Sequence, residues 1–104
     1  MNYTIIWSNF AEYQLDEIFN YYAKKVNKKV AHSIMFKIRD NVEVLIKNPL
    51  IGDKEELLEG RKQNYRRLIV TNYKIIYALN EEIETIKIVD IFDTRQNPIK
   101  LKRN

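Results

Sequence analysis

The second half of the chain alternates between apolar and polar residues, which is the pattern of strands with two unlike faces. Three such stretches follow one another, over residues 64–70, 73–79 and 83–92. Thr71 and Asn72 separate the first two as a two-residue turn, in which we expect Asn72 to take the positive φ. Asn80-Glu81-Glu82 is a turn between the last two. The pattern therefore predicts three consecutive strands, and we expect the rest of the chain to support this sheet.

The first half of the chain predicts one strand and two helices. Residues 3–7 are β-branched and aromatic, as in a short strand. Apolar residues then recur at helical spacing to about Val26, and again from about Lys28 to Lys47. Asn9 and Glu12 fit a capping box at the start of the first helix. The joint is short, so the helices should pack as an antiparallel hairpin on one face of the sheet, leaving the other face to solvent or a ligand.

These elements predict an α+β fold in the order β-α-α-β-β-β, with the first strand joining a small, twisted antiparallel sheet. The chain has 104 residues, so we expect a single domain over residues 1–104. Residues 50–60 contain two glycines, of which Gly52 marks a turn, and four acidic residues, and they predict a loop or one helical turn.

Composition excludes several kinds of chemistry. The chain has no cysteine, which excludes disulfides, thiolate catalysis and cysteine-based metal sites. We find no metal-ligand spacing, phosphate loop or nucleophile elbow, so we expect no metal, no cofactor and no small-molecule substrate. The sequence shows no signal peptide and no apolar run long enough to span a membrane, so we expect a cytoplasmic protein. A net charge of +4 permits an acidic or nucleic-acid partner without demanding one.

Basic residues gather along the predicted strands. The segment from 61 to 74 has no acid among them, and Arg95 and the basic tail 99–104 follow the last strand. The candidate anion-binding or target-binding residues are Arg61, Lys62, Arg66, Arg67, Lys74 and Arg95. Guanidinium and ammonium groups bind phosphates through charge-assisted hydrogen bonds. The alternative is a solvated strand edge, which is often basic because charge discourages edge pairing. The sequence leaves both interpretations open.

Three other titratable residues are weaker candidates. His32 is the only histidine, and it has no catalytic partner near it in sequence, so a packing or surface role is the simpler interpretation. Asp90 and Asp93 on the last strand could bind a metal or transfer protons. We favour structural ion pairs with Arg67 and Arg95.

The order of the motifs resembles the RelE/ParE family of toxins from type II toxin–antitoxin systems. The resemblance covers the chain from about Tyr3 to Pro98. It is carried by Pro49-x-x-Gly52, by Tyr65-Arg66 followed by Tyr73-Lys74-Ile75-Ile76-Tyr77, and by Asp93-Thr94-Arg95. The first helix resembles that of ParE-like plasmid-stabilisation proteins more than that of RelE proper. The family fold is a twisted antiparallel sheet with a helical hairpin on one face.

The resemblance also implies candidate catalytic residues. Arg66, Lys74 and Arg95 match basic positions with which RelE-like toxins cleave mRNA. Leu68 stands where those toxins have a further lysine. They often carry a tyrosine or histidine near the C-terminus, and no aromatic residue follows Arg95 here. RNA cleavage needs protonation of the leaving group as well as phosphate neutralisation, so these departures count against an endoribonuclease.

Three functions remain as hypotheses at this stage. The favoured one is a growth-arresting, ParE-like toxin that acts on DNA gyrase and is neutralised by a cognate antitoxin. The second is a ribosome-dependent mRNA endoribonuclease that works without a metal. The third is a non-toxic binding module derived from the same fold. Whether the chain is an enzyme depends on which of these holds.

Overall fold

The computed structural model describes residues 2–95 and Leu101. They form two helices, five strands and a short 3-10 turn at Glu56–Leu58. In chain order the elements are β1 (Thr4–Trp7), α1 (Asn9–Lys25), α2 (Lys28–Val44), β2 (Asp53–Lys54), β3 (Asn64–Val70), β4 (Tyr73–Asn80) and β5 (Thr85–Asp93). The predicted elements are confirmed, and residues 50–60 add β2 and the 3-10 turn. No helix among the described residues is both long and apolar enough to cross a membrane.

The five strands form one sheet in the order β1-β5-β4-β3-β2. Strands β2 to β5 are antiparallel to their neighbours, whereas β1 runs parallel to β5, with Ile5 opposite Ile86. The α+β class is therefore confirmed, but the sheet is mixed and antiparallel only over four strands. A parallel neighbour needs a long connection, and here both helices and strands β2 to β4 lie between β1 and β5 in the chain.

The turn between β3 and β4 has the predicted length but a different conformation. The positive φ falls on Thr71, at 55°, and not on Asn72. The Asn72 side chain is used elsewhere, since its amide donates to Asp93 Oδ1 at 3.3 Å. The second turn is longer than predicted, so β5 begins at Thr85, and Glu84 before it also has a positive φ of 50°.

The main hydrophobic core lies between the helices and one face of the sheet. Ala11 and Leu15 on α1 and Ile38 and Val42 on α2 are almost fully buried against apolar residues of β4 and β5. Their helical spacing places one apolar stripe of each helix toward the sheet. This confirms that the helical pair covers one face.

The second face of the sheet is also covered in part. Leu58 of the 3-10 turn and Leu101 pack on Ile76 and Phe92, and all four are at most 2 % exposed. The expectation that this face is left to solvent or a ligand is therefore wrong over this part of the sheet. Burying these large apolar side chains gains more than leaving them in water.

The first helix is capped by Ser8 rather than by Asn9. Ser8 has an extended backbone, and its Oγ accepts a hydrogen bond from the Ala11 N–H at 3.0 Å. Asn9 is the first helical residue. The capping box predicted on Asn9 is therefore displaced by one residue.

We expect Ser8→Ala to lower the free energy of unfolding by about 1 kcal/mol, because it removes an N-cap acceptor. Asn9→Ala is the matched control, since Asn9 is exposed and already inside the helix. Urea unfolding monitored by circular dichroism would measure both variants. An equal loss in the two would contradict the assignment of the cap.

Candidate functional site

Arg66 holds the loop that precedes β2. Its Nε donates to the Gly52 carbonyl at 2.8 Å and its Nη2 to the Leu50 carbonyl at 3.2 Å. Arg66 lies opposite Tyr77 on β4, and Tyr77 faces the main core. The Tyr77 Oη donates to the Pro49 carbonyl at 2.9 Å and accepts from the Gly52 N–H at 3.0 Å. The Pro49 to Gly52 segment is thus fixed by two side chains of adjacent strands.

Arg67 and Lys74 lie on the other face and share one buried carboxylate. Glu55 is 2 % exposed, and its Oε1 accepts from Lys74 Nζ at 2.9 Å. Arg67 Nη1 lies 3.7 Å from Glu55 Oε2 and donates to the Lys54 carbonyl at 2.6 Å. The same Oε2 accepts from the Leu57 N–H at 3.2 Å. Glu55 therefore neutralises two strand cations and caps the 3-10 turn.

Arg95 pairs with Asp93 at the end of β5. Its Nη2 lies 2.8 Å from Asp93 Oδ2 and its Nε lies 3.0 Å from Asp93 Oδ1, so the contact is bidentate. The hydrogen bonds from Arg95 hold the pKa of Asp93 below its usual value, and the carboxylate raises the pKa of Arg95. The Arg95 side chain remains 61 % exposed. It is the most accessible of the three candidate catalytic cations.

A cavity of about 330 Å³ adjoins the Asp93–Arg95 pair. It lies between α1 and the end of the sheet, and its walls include Gln14, Tyr21 and Tyr73. The Tyr73 Oη donates to the Tyr22 Oη at 3.3 Å. Burial and this hydroxyl contact raise the pKa of Tyr73, so it is a neutral hydrogen-bonding group at physiological pH.

Arg61 and Lys62 lie in the connection before β3. Together with Lys54 and Glu59 they line a second groove, of about 400 Å³. Lys62 is exposed, whereas Arg61 is partly buried. Acidic and basic side chains alternate here, so this groove is not uniformly basic.

The six predicted site residues thus lie in four places. Arg67 and Lys74 share Glu55, Arg61 and Lys62 share a loop, and Arg66 and Arg95 are each bound elsewhere. These residues do not form one basic face, because residues 66 and 67 project from opposite faces of β3 and Lys74 and Arg95 pair with different carboxylates. The functional roles of these residues remain predictions.

The structure also shows the surroundings of the three weaker candidates, Asp90, Asp93 and His32. Asp93 pairs with Arg95 as expected, but the carboxylate partner of Arg67 is Glu55. Asp90 is fully buried and accepts a hydrogen bond from Gln14 at 3.3 Å. His32 is an exposed residue of α2, as the simpler interpretation predicted.

Sequence reasoning missed two features of this region. Glu55 is one of four acids in the segment 50–60, and its position in the sequence does not single it out. Its partners Arg67 and Lys74 lie twelve and nineteen residues further along the chain. The contact of Tyr77 with the loop was also missed. The sequence feature that could have indicated this contact is a Pro-x-x-Gly loop in a chain that also has a tyrosine in a buried strand.

The comparisons with known proteins identify the family and the fold. Residues 5–98 match the family model for the ParE toxin of the type II toxin–antitoxin system parDE. No curated protein matches the chain significantly in sequence.

Several solved structures share the fold. A chain of the chromosomal ParDE toxin–antitoxin system from P. aeruginosa superposes with a TM-score of 0.72 at 17 % identity, covering 88 % of this chain and 95 % of that one. A chain of the RelBE2 toxin–antitoxin complex from Mycobacterium tuberculosis gives 0.60 at 15 % identity, covering 89 % and 99 %. A chain of the archaeal RelE–RelB complex from Pyrococcus horikoshii gives 0.54 at 19 % identity, covering 93 % and 100 %. The family model spans most of the chain, so this protein belongs to the ParE toxin family of type II toxin–antitoxin systems.

Proposed function

We propose that this chain arrests growth by binding a protein target, with DNA gyrase favoured, and that a cognate antitoxin neutralises it in the cytoplasm. Gyrase is the target that the ParE-like resemblance implies. Support for an antitoxin comes from the similar structures, which belong to toxin–antitoxin systems. By the same resemblance, plasmid stabilisation is the role that we propose for the pair.

The observation that carries the proposal is the separation of the three candidate catalytic cations. Arg66 is bound to two backbone carbonyls, Lys74 to Glu55 and Arg95 to Asp93. A nuclease must bring such groups together around one phosphate, because its transition-state charge is concentrated there. Cations that stabilise a fold from separate places fit a toxin that binds its target without cleaving RNA.

The competing function is ribosome-dependent cleavage of mRNA. The exposed Arg95, beside a cavity lined by Tyr73, is the feature that favours it. A phosphate could compete with Asp93 for this guanidinium, since both present paired oxygen acceptors.

Two assays on the purified chain separate these functions. We expect the chain to inhibit supercoiling of relaxed plasmid by gyrase, while translation continues and mRNA stays intact in a ribosome-containing extract. Arg95→Ala tests the nuclease directly. We expect this variant to remain toxic on induction, and Lys37→Ala, an exposed lysine on α2, is the charge-matched control.

Ribosome-dependent mRNA cleavage that Arg95→Ala reduces at least about a hundredfold would overturn the proposal in favour of the nuclease. No growth arrest on induction, with soluble folded protein in the cell, would instead identify a non-toxic binding module. Co-expression with the product of the neighbouring short reading frame should restore growth if that product is the antitoxin.

A further inference from the structure

The outer face of α2 carries an exposed stripe that contains none of the six candidate site residues. It consists of residues at alternating steps of four and three, namely Lys29, Ser33, Phe36, Asp40 and Glu43. All five are exposed, and Phe36 is 62 % exposed. Steps of four and three place residues along one seam, as at the contact positions of paired helices. The stripe lies opposite the buried residues Ala31, Ile38 and Val42.

An aromatic group is preformed at the centre of this stripe. The His32 ring stacks on Phe36, with centroids 6.2 Å apart, and meets Phe19 of α1 edge-on at 5.0 Å. Lys29, His32, Ser33 and Phe36 line a shallow, mainly apolar depression. A large apolar side chain of a partner would fit over it.

The polar residues on the two sides of Phe36 are placed so that an antiparallel copy of α2 would bring complementary groups together. Lys29 lies seven residues before Phe36 and Glu43 seven residues after it, while His32 and Asp40 lie four residues before and after. Two antiparallel copies of α2 crossing at Phe36 would therefore place Lys29 opposite Glu43 and His32 opposite Asp40, each twice. In the described part of the chain Lys29, Asp40 and Glu43 form no ion pair.

We infer that a second copy of this chain docks on the outer face of α2, across a two-fold axis at Phe36. Such an interface is isologous, so each residue meets its counterpart in the reversed order. The Phe36 side chain of each copy enters the depression beside the other, and the two Lys29–Glu43 ion pairs, with His32 and Asp40 within hydrogen-bonding reach of each other, fix the antiparallel register. This dimer does not depend on the cellular target of the toxin.

The dimer is expected to be weak. One aromatic pair and exposed ion pairs bury less than the roughly 1,200 Å² of a stable interface, so we expect a dissociation constant on the order of 100 µM. Self-association would therefore be seen at high protein concentration and would be favoured by low salt.

A cysteine placed on the axis tests the geometry. The chain has no cysteine of its own, so Phe36→Cys introduces a single thiol that should meet its own copy. We expect it to form a disulfide-linked dimer under mild oxidation at least about tenfold faster than Ile83→Cys, because helix pairing brings facing positions within disulfide reach. Ile83 is 66 % exposed and lies in the turn between β4 and β5, outside the proposed stripe. Equal cross-linking rates for the two variants would overturn the inference.

A charge reversal tests the register without removing Phe36. Lys29→Glu should weaken self-association of the otherwise unmodified chain in sedimentation, because it places two acids opposite each other. Adding Glu43→Lys in the same chain should restore it. The inference would also be overturned if the double variant self-associates as weakly as Lys29→Glu alone. Unchanged self-association of the single variant would overturn it too. Neither result bears on gyrase inhibition, so this test and that of the proposed function can fail separately.

Discussion

Replacing Gly52 with alanine should lower the free energy of unfolding by about 3 kcal/mol or more, at the upper end of the cost of overpacking. A Cβ at this position would collide with the Arg67 carbonyl oxygen and lie 2.6 Å from the Tyr77 Oη. The first contact is with backbone, which cannot move aside without disturbing β3. Relief of the second would break the hydrogen bonds that Tyr77 makes with Pro49 and Gly52.

Gly60→Ala is the control for the loss of glycine itself. Gly60 has a φ of +86°, but an added Cβ there would meet nothing within 4 Å. Only backbone strain is then expected, costing about 1 kcal/mol. Thermal and urea unfolding of the two variants would separate collision from strain. Similar losses in both would show that the loop opens to admit a methyl group.

Replacing Glu55 with alanine should lower the free energy of unfolding by about 2–3 kcal/mol. The change leaves Lys74 and Arg67 without their shared carboxylate, and their side chains are only 20 % and 25 % exposed. Removing one partner of a buried pair is costly because the remaining charge stays poorly solvated. We expect less than the full cost of a buried pair, since both cations reach water in part.

Two further substitutions separate the roles of Glu55. Glu55→Gln keeps an acceptor for the Leu57 N–H and loses only the charge, so its loss should be smaller than that of alanine. Glu56→Ala is the matched control, because Glu56 is an exposed acid of the same 3-10 turn and should change stability by less than about 0.5 kcal/mol. Chemical denaturation of the three variants gives the comparison. A loss in Glu56→Ala equal to that in Glu55→Ala would point to net charge rather than to the buried contact.

Most of the fold could be predicted from the chain alone, because apolar periodicity reports local structure. The stripe containing Ala11 and Leu15 and the alternation through Ile86 and Ile88 placed the helices and strands within a few residues. The candidate site was harder to predict. The partners of its residues are set by contacts between groups distant in sequence, such as those of Glu55 with Arg67 and Lys74.

The errors at the turns and caps have a similar cause. Asn72 has the stronger preference for a positive φ, but its side chain bonds to Asp93, and Thr71 takes that conformation instead. Ser8 caps α1 in place of Asn9 because the Ser8 N–H donates to the Ile88 carbonyl of β5, which holds Ser8 in an extended conformation. In both places a neighbouring strand overrode a local preference.

The sequence by itself determined the order of helices and strands, the α+β class and the resemblance that the family model bears out, since each depends on local periodicity or on motif order. Only the tertiary structure decided that β1 lies parallel to β5, that Leu58 and Leu101 cover part of the second face, and that Glu55 binds both Arg67 and Lys74. Each of these features depends on contacts between residues far apart in the chain, which local periodicity does not report.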